Sequence, residues 1–183
     1  MKSGFTLIEV AVTMAILSLV LGSIYGVYNL SQKAYIIEES MIEMTQNGRV
    51  ILERLSREIR QATEIVTELA NEEAFSTSTI MFEDGHIAEP YYYIRYFQED
   101  DLIKREVVGF YFTGDQAEIL VPWDAIPPLN QTLAIKTIQE AQIIGERVLR
   151  LKFWRSDIIN IALDLYKKDN NLRLKTMISG RNF

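Results

Sequence analysis

Cysteine is absent from this chain and histidine occurs once, at His86. The first absence excludes disulfide staples and thiolate chemistry, so neither an oxidising nor a reducing compartment is demanded and packing must hold the fold. The second leaves no Cys–His pair and no His/Cys metal cluster. His86 follows Asp84-Gly85 and reads as a surface turn residue rather than a general base. Gly-x-Ser-x-Gly and phosphate-loop patterns are missing too. The acidic run Glu99-Asp100-Asp101 lacks the ordered oxygen spacing of a calcium loop and reads as a solvated turn. No metal or cofactor is expected, and no reaction.

Positive charge is scarce in most of the chain. Residues 1 to 146 hold 10 Lys and Arg against 22 Asp and Glu, whereas residues 147 to 183 hold 9 against 3, so an acidic body carries a basic ending. That asymmetry suits subunits that attract one another, or a basic partner face at Arg150, Lys152, Arg173 and Lys175; an ordinary solvated sheet face gives the same pattern.

What is abundant is apolar sequence at the start. The run from Val10 to Val27 is about the minimum that spans a bilayer as a helix, and Phe5 to Ile8 lengthen it comfortably, at ~1.5 Å per residue against ~30 Å of hydrocarbon. A secretory signal fits poorly, because Lys2 alone is basic, Glu9 interrupts the run, and no small-x-small cleavage site follows. An acid inside such a span costs on the order of 2.5 to 3.5 kcal/mol at its centre, so Glu9 needs a partner. No Lys or Arg lies within the span. A cut between Gly4 and Phe5 would create an α-amine at the same depth, able to reach the Glu9 of its own chain or of a neighbouring parallel helix. Gly22 and Gly26 form a small-xxx-small pair that lets another helix approach closely.

Lys2-Ser3-Gly4-Phe5-Thr6-Leu7-Ile8-Glu9-Val10 resembles the class III signal of type IV prepilins and pseudopilins. The resemblance implies cleavage after Gly4 by a prepilin peptidase, methylation of Phe5, and a role for Glu9 in aligning incoming subunits. In that family the position of Gly26 is often proline, and some relatives lose helix locally there.

No proline occurs between Asn29 and Asn71. Met44, Leu52, Leu55, Ile59, Ala62, Val66 and Leu69 recur at helical spacing, and Arg49, Glu53, Arg57, Arg54 and Glu58 are spaced for i,i+4 pairs on the other face. One helix is therefore expected from Phe5 to about Ala70. Beyond it the pattern turns strand-like. Thr79 to Phe82 is a short strand, Tyr91 to Phe97 with Leu102 to Val108 a hairpin, and Phe110 to Phe112 with Ala117 to Val121 a second hairpin. Leu133 to Ile144 fits either a strand or a short helix. Leu149 to Phe153, Ile159 to Leu165 and Leu172 to Leu174 alternate with period two, the last two joined by the polar turn Lys167 to Asn171.

The fold class is thus α+β and pilin-like: a long N-terminal helix, half transmembrane and half amphipathic, with a C-terminal antiparallel sheet packed on it. The expected divisions are a leader at 1–4, a transmembrane helix at 5–28 and an extracytoplasmic domain at 29–183, made of an amphipathic helix 29–70 and a β-domain 77–183. Gly48 to Ala62 and Leu174 to Asn182 are similar to stretches of minor pseudopilins of the J type from type II secretion, and of related minor pilins.

By that resemblance the chain is a structural subunit of the inner membrane, N-terminus in the cytoplasm and β-domain outside, assembling at or near the tip of a pseudopilus that it helps initiate. Its partners would be other minor and major pseudopilins, the peptidase that cuts and methylates it, and an inner-membrane assembly platform. A minor pilin of a type IV or DNA-uptake pilus shares every N-terminal feature, and only there would nucleic acid be a partner, through the four basic residues named above. A membrane-tethered receptor or enzyme that is never processed is the remaining class.

Overall fold

The computed structural model describes residues 6–85 and 91–179. Those residues form one α-helix, α1 (Leu7–Gln61), and seven strands: β1 (Thr79–Glu83), β2 (Tyr93–Glu99), β3 (Leu102–Phe112), β4 (Leu133–Gly145), β5 (Val148–Arg155), β6 (Ile159–Lys167) and β7 (Asn170–Ile178). The strands form two antiparallel sheets, ordered β1-β2-β3-β4 and β5-β6-β7, where the alternation pattern had suggested one. The chain divides into two compact units, Met1–Ile42 and Glu43–Phe183, with the division inside α1.

In the first unit the helix runs unbroken through Gly22 and Gly26. Its apolar side chains, from Leu7 to Tyr28, are exposed, and the stretch is long and apolar enough to cross a membrane. Its hydroxyls do not oppose that medium. Ser18 and Ser23 donate to the carbonyls of Met14 (2.8 Å) and Leu19 (2.9 Å) one turn back, and Thr13 donates likewise to the carbonyl of Glu9. These three hydroxyl protons are thus satisfied within the helix, without water.

The second unit is organised by the apolar stripe on the last turns of α1. Met44, Leu52, Leu55, Ile59 and Ala62 are buried, Leu55, Ile59 and Ala62 completely. The inward residues of both sheets, among them Ile103, Phe153, Ile161 and Leu163, are buried as well, and Gly145 of β4 lies against Ile51 of the helix. Burying a Leu or Ile of this kind is worth roughly 1.5 to 3 kcal/mol, far more than helix propensity supplies. At Gly48 the helix approaches the second sheet so closely that a Cβ would meet Leu174 Cδ1 and Leu165 Cδ1, the latter at 3.0 Å.

The helix ends at Gln61 rather than near Ala70. Four of the five residues from Thr63 to Thr67 are β-branched, which disfavours helix and suits extended backbone. That segment lies along the outer edge of β1: Thr63 N–H donates to Glu83 O (3.2 Å), Glu83 N–H to Glu64 O (2.9 Å) and Val66 N–H to Met81 O (2.9 Å). Val66 and Leu69 are half-buried off the helix, not on it. A short 3-10 turn, Glu73–Phe75, follows, and Thr77 then exchanges two backbone bonds with Phe153, tying the entry of β1 to β5.

The expected hairpins hold at β2–β3 and β6–β7. The one proposed at Phe110–Val121 does not. The Asp115 carboxylate accepts the N–H groups of Ala117 (2.9 Å) and Ile119 (3.0 Å), winding up the stretch that would have paired, and only Val121 bridges back to Phe110. The ambiguous stretch is strand β4, an exposed edge whose register against β3 shifts three times. The two sheets are stapled by Gln98, whose side-chain oxygen accepts Leu151 N–H (2.8 Å) while its amide donates to Asp100 O (2.8 Å) and Leu149 O (3.3 Å).

Gly48→Leu is expected to lower stability by about 1 to 3 kcal/mol through overpacking, read as a lower thermal midpoint. Gly22→Ala, with nothing within 4 Å of the added carbon, should leave that midpoint unchanged.

Candidate functional site

Two regions hold the residues the sequence singles out. The first is the start of α1. Gly4 and Phe5 lie outside the described residues, so the geometry begins at Thr6. Thr6 N–H and the Thr6 hydroxyl both donate to Oε2 of Glu9, each at 2.9 Å, and Glu9 N–H returns a long bond, 3.4 Å, to the Thr6 hydroxyl. This is a capping box: Thr-x-x-Glu satisfies two helix-start donors reciprocally. The spacing Thr6-Leu7-Ile8-Glu9 carries that signal in plain sequence. Both bonds end on one oxygen. Oε1 has no partner among the described residues, and the residue is exposed, so Glu9 can hold its own helix start and still present a carboxylate oxygen to a cation.

Gly22 and Gly26 lie one turn apart on the same helix. Nothing approaches within 4 Å of where a Cβ would stand at either, so this strip of α1 is open to close contact.

The second region is the outward face of β5-β6-β7. Register places Lys152, Ala162 and Lys175 in one row, and Arg150, Asp164 and Arg173 in the next. All four cations named from the sequence therefore share a face, but they are turned toward acids of the same chain. Arg150 Nε lies 3.4 Å from Asp164 Oδ2, and Arg173 Nε 3.3 Å from Asp164 Oδ1. Glu73, in the 3-10 turn, receives Lys175 (2.8 Å), Lys152 (3.7 Å) and Arg173. Four cations meet two carboxylates, so the face keeps an excess of positive charge. Their overhang also explains why Ala162, nominally on the wet face, is 1% exposed. Lys175 Nζ further sits 5.6 Å from the Trp154 ring, a cation–π distance. Glu73 is remote in sequence from every partner, and nothing in the pattern points to it.

On the helix, Arg54 and Glu58 close at 3.4 Å, and Glu58 reaches Arg105 of β3 at 2.9 Å. Among the described residues, Glu53 closes on neither Arg49 nor Arg57. The β2–β3 turn at Asp100 and Asp101 is engaged by the fold: Asp101 O accepts Val148 N–H at 2.9 Å and Asp101 Oδ2 accepts the Tyr166 hydroxyl at 3.4 Å. Among the described residues no three His, Cys, Asp or Glu side chains converge as a metal would need. His86 lies outside them.

The Lys175 ammonium, then the Arg173 guanidinium, hold the Glu73 carboxyl below the ordinary glutamate range. A depressed carboxylate contributes stability above its unfolded pKa and loses it as pH falls through the folded one. Glu73→Gln should therefore cost up to about 1 kcal/mol at neutral pH, limited by solvent screening. The cost should vanish in acid below the Glu73 midpoint, as denaturant melts at the two pH values would read.

Residues 1–25 match the family model described as the prokaryotic N-terminal methylation motif. No curated protein and no solved structure matches the chain. The matched segment contains Gly4, Phe5, the Thr6–Glu9 cap and Gly22. The chain therefore carries a type IV prepilin-like methylation motif on a helix long and apolar enough to cross a membrane, followed by antiparallel sheets in a pilin-like α+β architecture.

Proposed function

We propose that this chain is a minor pseudopilin, a structural subunit that prepilin peptidase cuts after Gly4 and methylates at Phe5. It is held in the inner membrane by α1 with its N-terminus inside and its β-domain outside, and is raised by an assembly platform into a short type II secretion pseudopilus. It sits at or near the tip, bound to other minor and major pseudopilins, and helps start the fibre. Its work is binding geometry, with no reaction of its own.

The observation that carries this reading is Glu9. An acid in an apolar helix is retained at a cost unless something uses it. The cap uses only one of its oxygens. The freed, methylated amine of a neighbouring Phe5 is a cation delivered at the same depth, and pairing the two sets an axial offset between parallel helices. Gly22 and Gly26 support the same packing, since close approach there meets no side chain. The minor rather than major role rests on the resemblance of Gly48–Ala62 and of the chain's ending. A DNA-uptake pilus is less favoured, because Glu73 and Asp164 already engage Arg150, Lys152, Arg173 and Lys175.

Glutamine can serve a capping box as well as glutamate, so Glu9→Gln removes the charge and keeps the helix start. The variant should insert and be processed normally but drop out of filaments sheared from cells, by at least about tenfold if the pair is worth some 1.4 kcal/mol. Normal incorporation would remove the role given to the charge.

A further inference from the structure

Beside the second sheet the globular unit carries an open groove of about 660 Å³, bounded on one side by α1 and on the other by β7. The helix side presents Arg49, Arg57 and Arg60 with Glu53, all exposed; the strand side is Leu174, Lys175 and Thr176. Two features make this more than a crevice. The first is charge. None of the three arginines has an ion-pair partner among the described residues, unlike the cations on the outward face of the same sheet, so this edge of an acidic protein holds uncompensated positive charge. The second is the backbone. β7 is the outer strand of its sheet, it pairs with β6 without a register shift over nine residues, and among the described residues only β6 bonds to its main chain. Its outward N–H and C=O groups form a regular, unoccupied template.

We propose that this groove takes an extended acidic segment of a partner protein, added as a strand on the free edge of β7. A strand in that position turns alternate side chains to opposite faces. Carboxylates on one face meet Arg49, Arg57 and Arg60, which no carboxylate among the described residues engages; those on the other come near Arg173 and Lys175, which already share Glu73 and Asp164 and so contribute less. One acidic strand thus finds these three cations on its helix-facing side and a ladder along its edge, a strand-addition mode of recognition. A nucleic acid could use the charges but not the ladder. Edge charges of one sign also bar a second copy of β7 from pairing there, because Arg173 and Lys175 would meet their own kind. The inference needs only Glu43–Phe183 and does not depend on filament assembly.

The test uses the full chain in detergent and fluorescence anisotropy of a labelled eight-residue peptide alternating glutamate and threonine. Saturable binding is expected. It should weaken at least ~tenfold in Arg57→Glu/Arg60→Glu, and comparably in Arg49→Glu as an independent variant, with unchanged circular dichroism. A peptide N-methylated on alternate amides keeps its charge but loses the ladder, and should also bind at least ~tenfold more weakly. Equal binding of the N-methylated peptide, equal binding of a lysine–threonine peptide, tighter binding of labelled duplex DNA, or no binding at millimolar peptide would each overturn the proposal.

Discussion

The burial of one helical stripe, Met44 through Ala62, is the constraint on which the globular unit depends. Neither sheet closes on itself: one is four strands, the other three, and each has an apolar face that only the helix and the opposing sheet can cover. Remove the stripe and both faces meet water. Gly48 shows how close the fit is, since the helix touches Leu165 and Leu174 where any larger residue would push it away. The stretch from Leu7 to Tyr28 has an analogous need, but it is met by a different medium. Its side chains are exposed, and lipid is the solvent that suits them.

Charge is then distributed around these two apolar requirements. Within the span the only acid is Glu9, tied to Thr6. In the globular unit, acids are spent on fastening long-range contacts. Glu58 joins the helix to β3 through Arg105, Glu43 joins it to Arg147 and Lys167, and Glu73 fastens the turn after the helix to the second sheet. The arginines left over, at positions 49, 57 and 60, lie together beside a free strand edge. A chain with net charge −6 thus still owns a basic seam.

Much of this is readable in the residues. Helical spacing finds the stripe because burial repeats every 3.6 residues, and period-two alternation finds β5, β6 and β7 because polar side chains occupy one face of that sheet. The reading fails where a local rule is overridden by, or hidden from, that periodicity. Val66 and Leu69 continue the helical spacing, yet the β-branched run at Thr63–Thr67 pairs with β1 instead. Ala117 to Val121 is apolar enough to read as a strand, but Asp115 takes the N–H groups of Ala117 and Ile119. Leu133 to Gly145 is exposed on both faces, so burial imposes no period on it. At the N-terminus, the capping role of Thr6 is written in the Thr-x-x-Glu spacing but is masked by the apolar run around it. Glu73 could not be found at all, because its partners are brought to it only by the closed fold.

The alignment role of Glu9 requires a new amine on Phe5, and so requires that this N-terminus be processed as a prepilin. Mass spectrometry of the mature chain, purified from cells with and without prepilin peptidase, measures this directly. The predicted result is a chain beginning at methylated Phe5 when the peptidase is present and retaining Met1–Gly4 when it is absent. A chain that keeps those four residues in both, or is cut at any other bond, would contradict it.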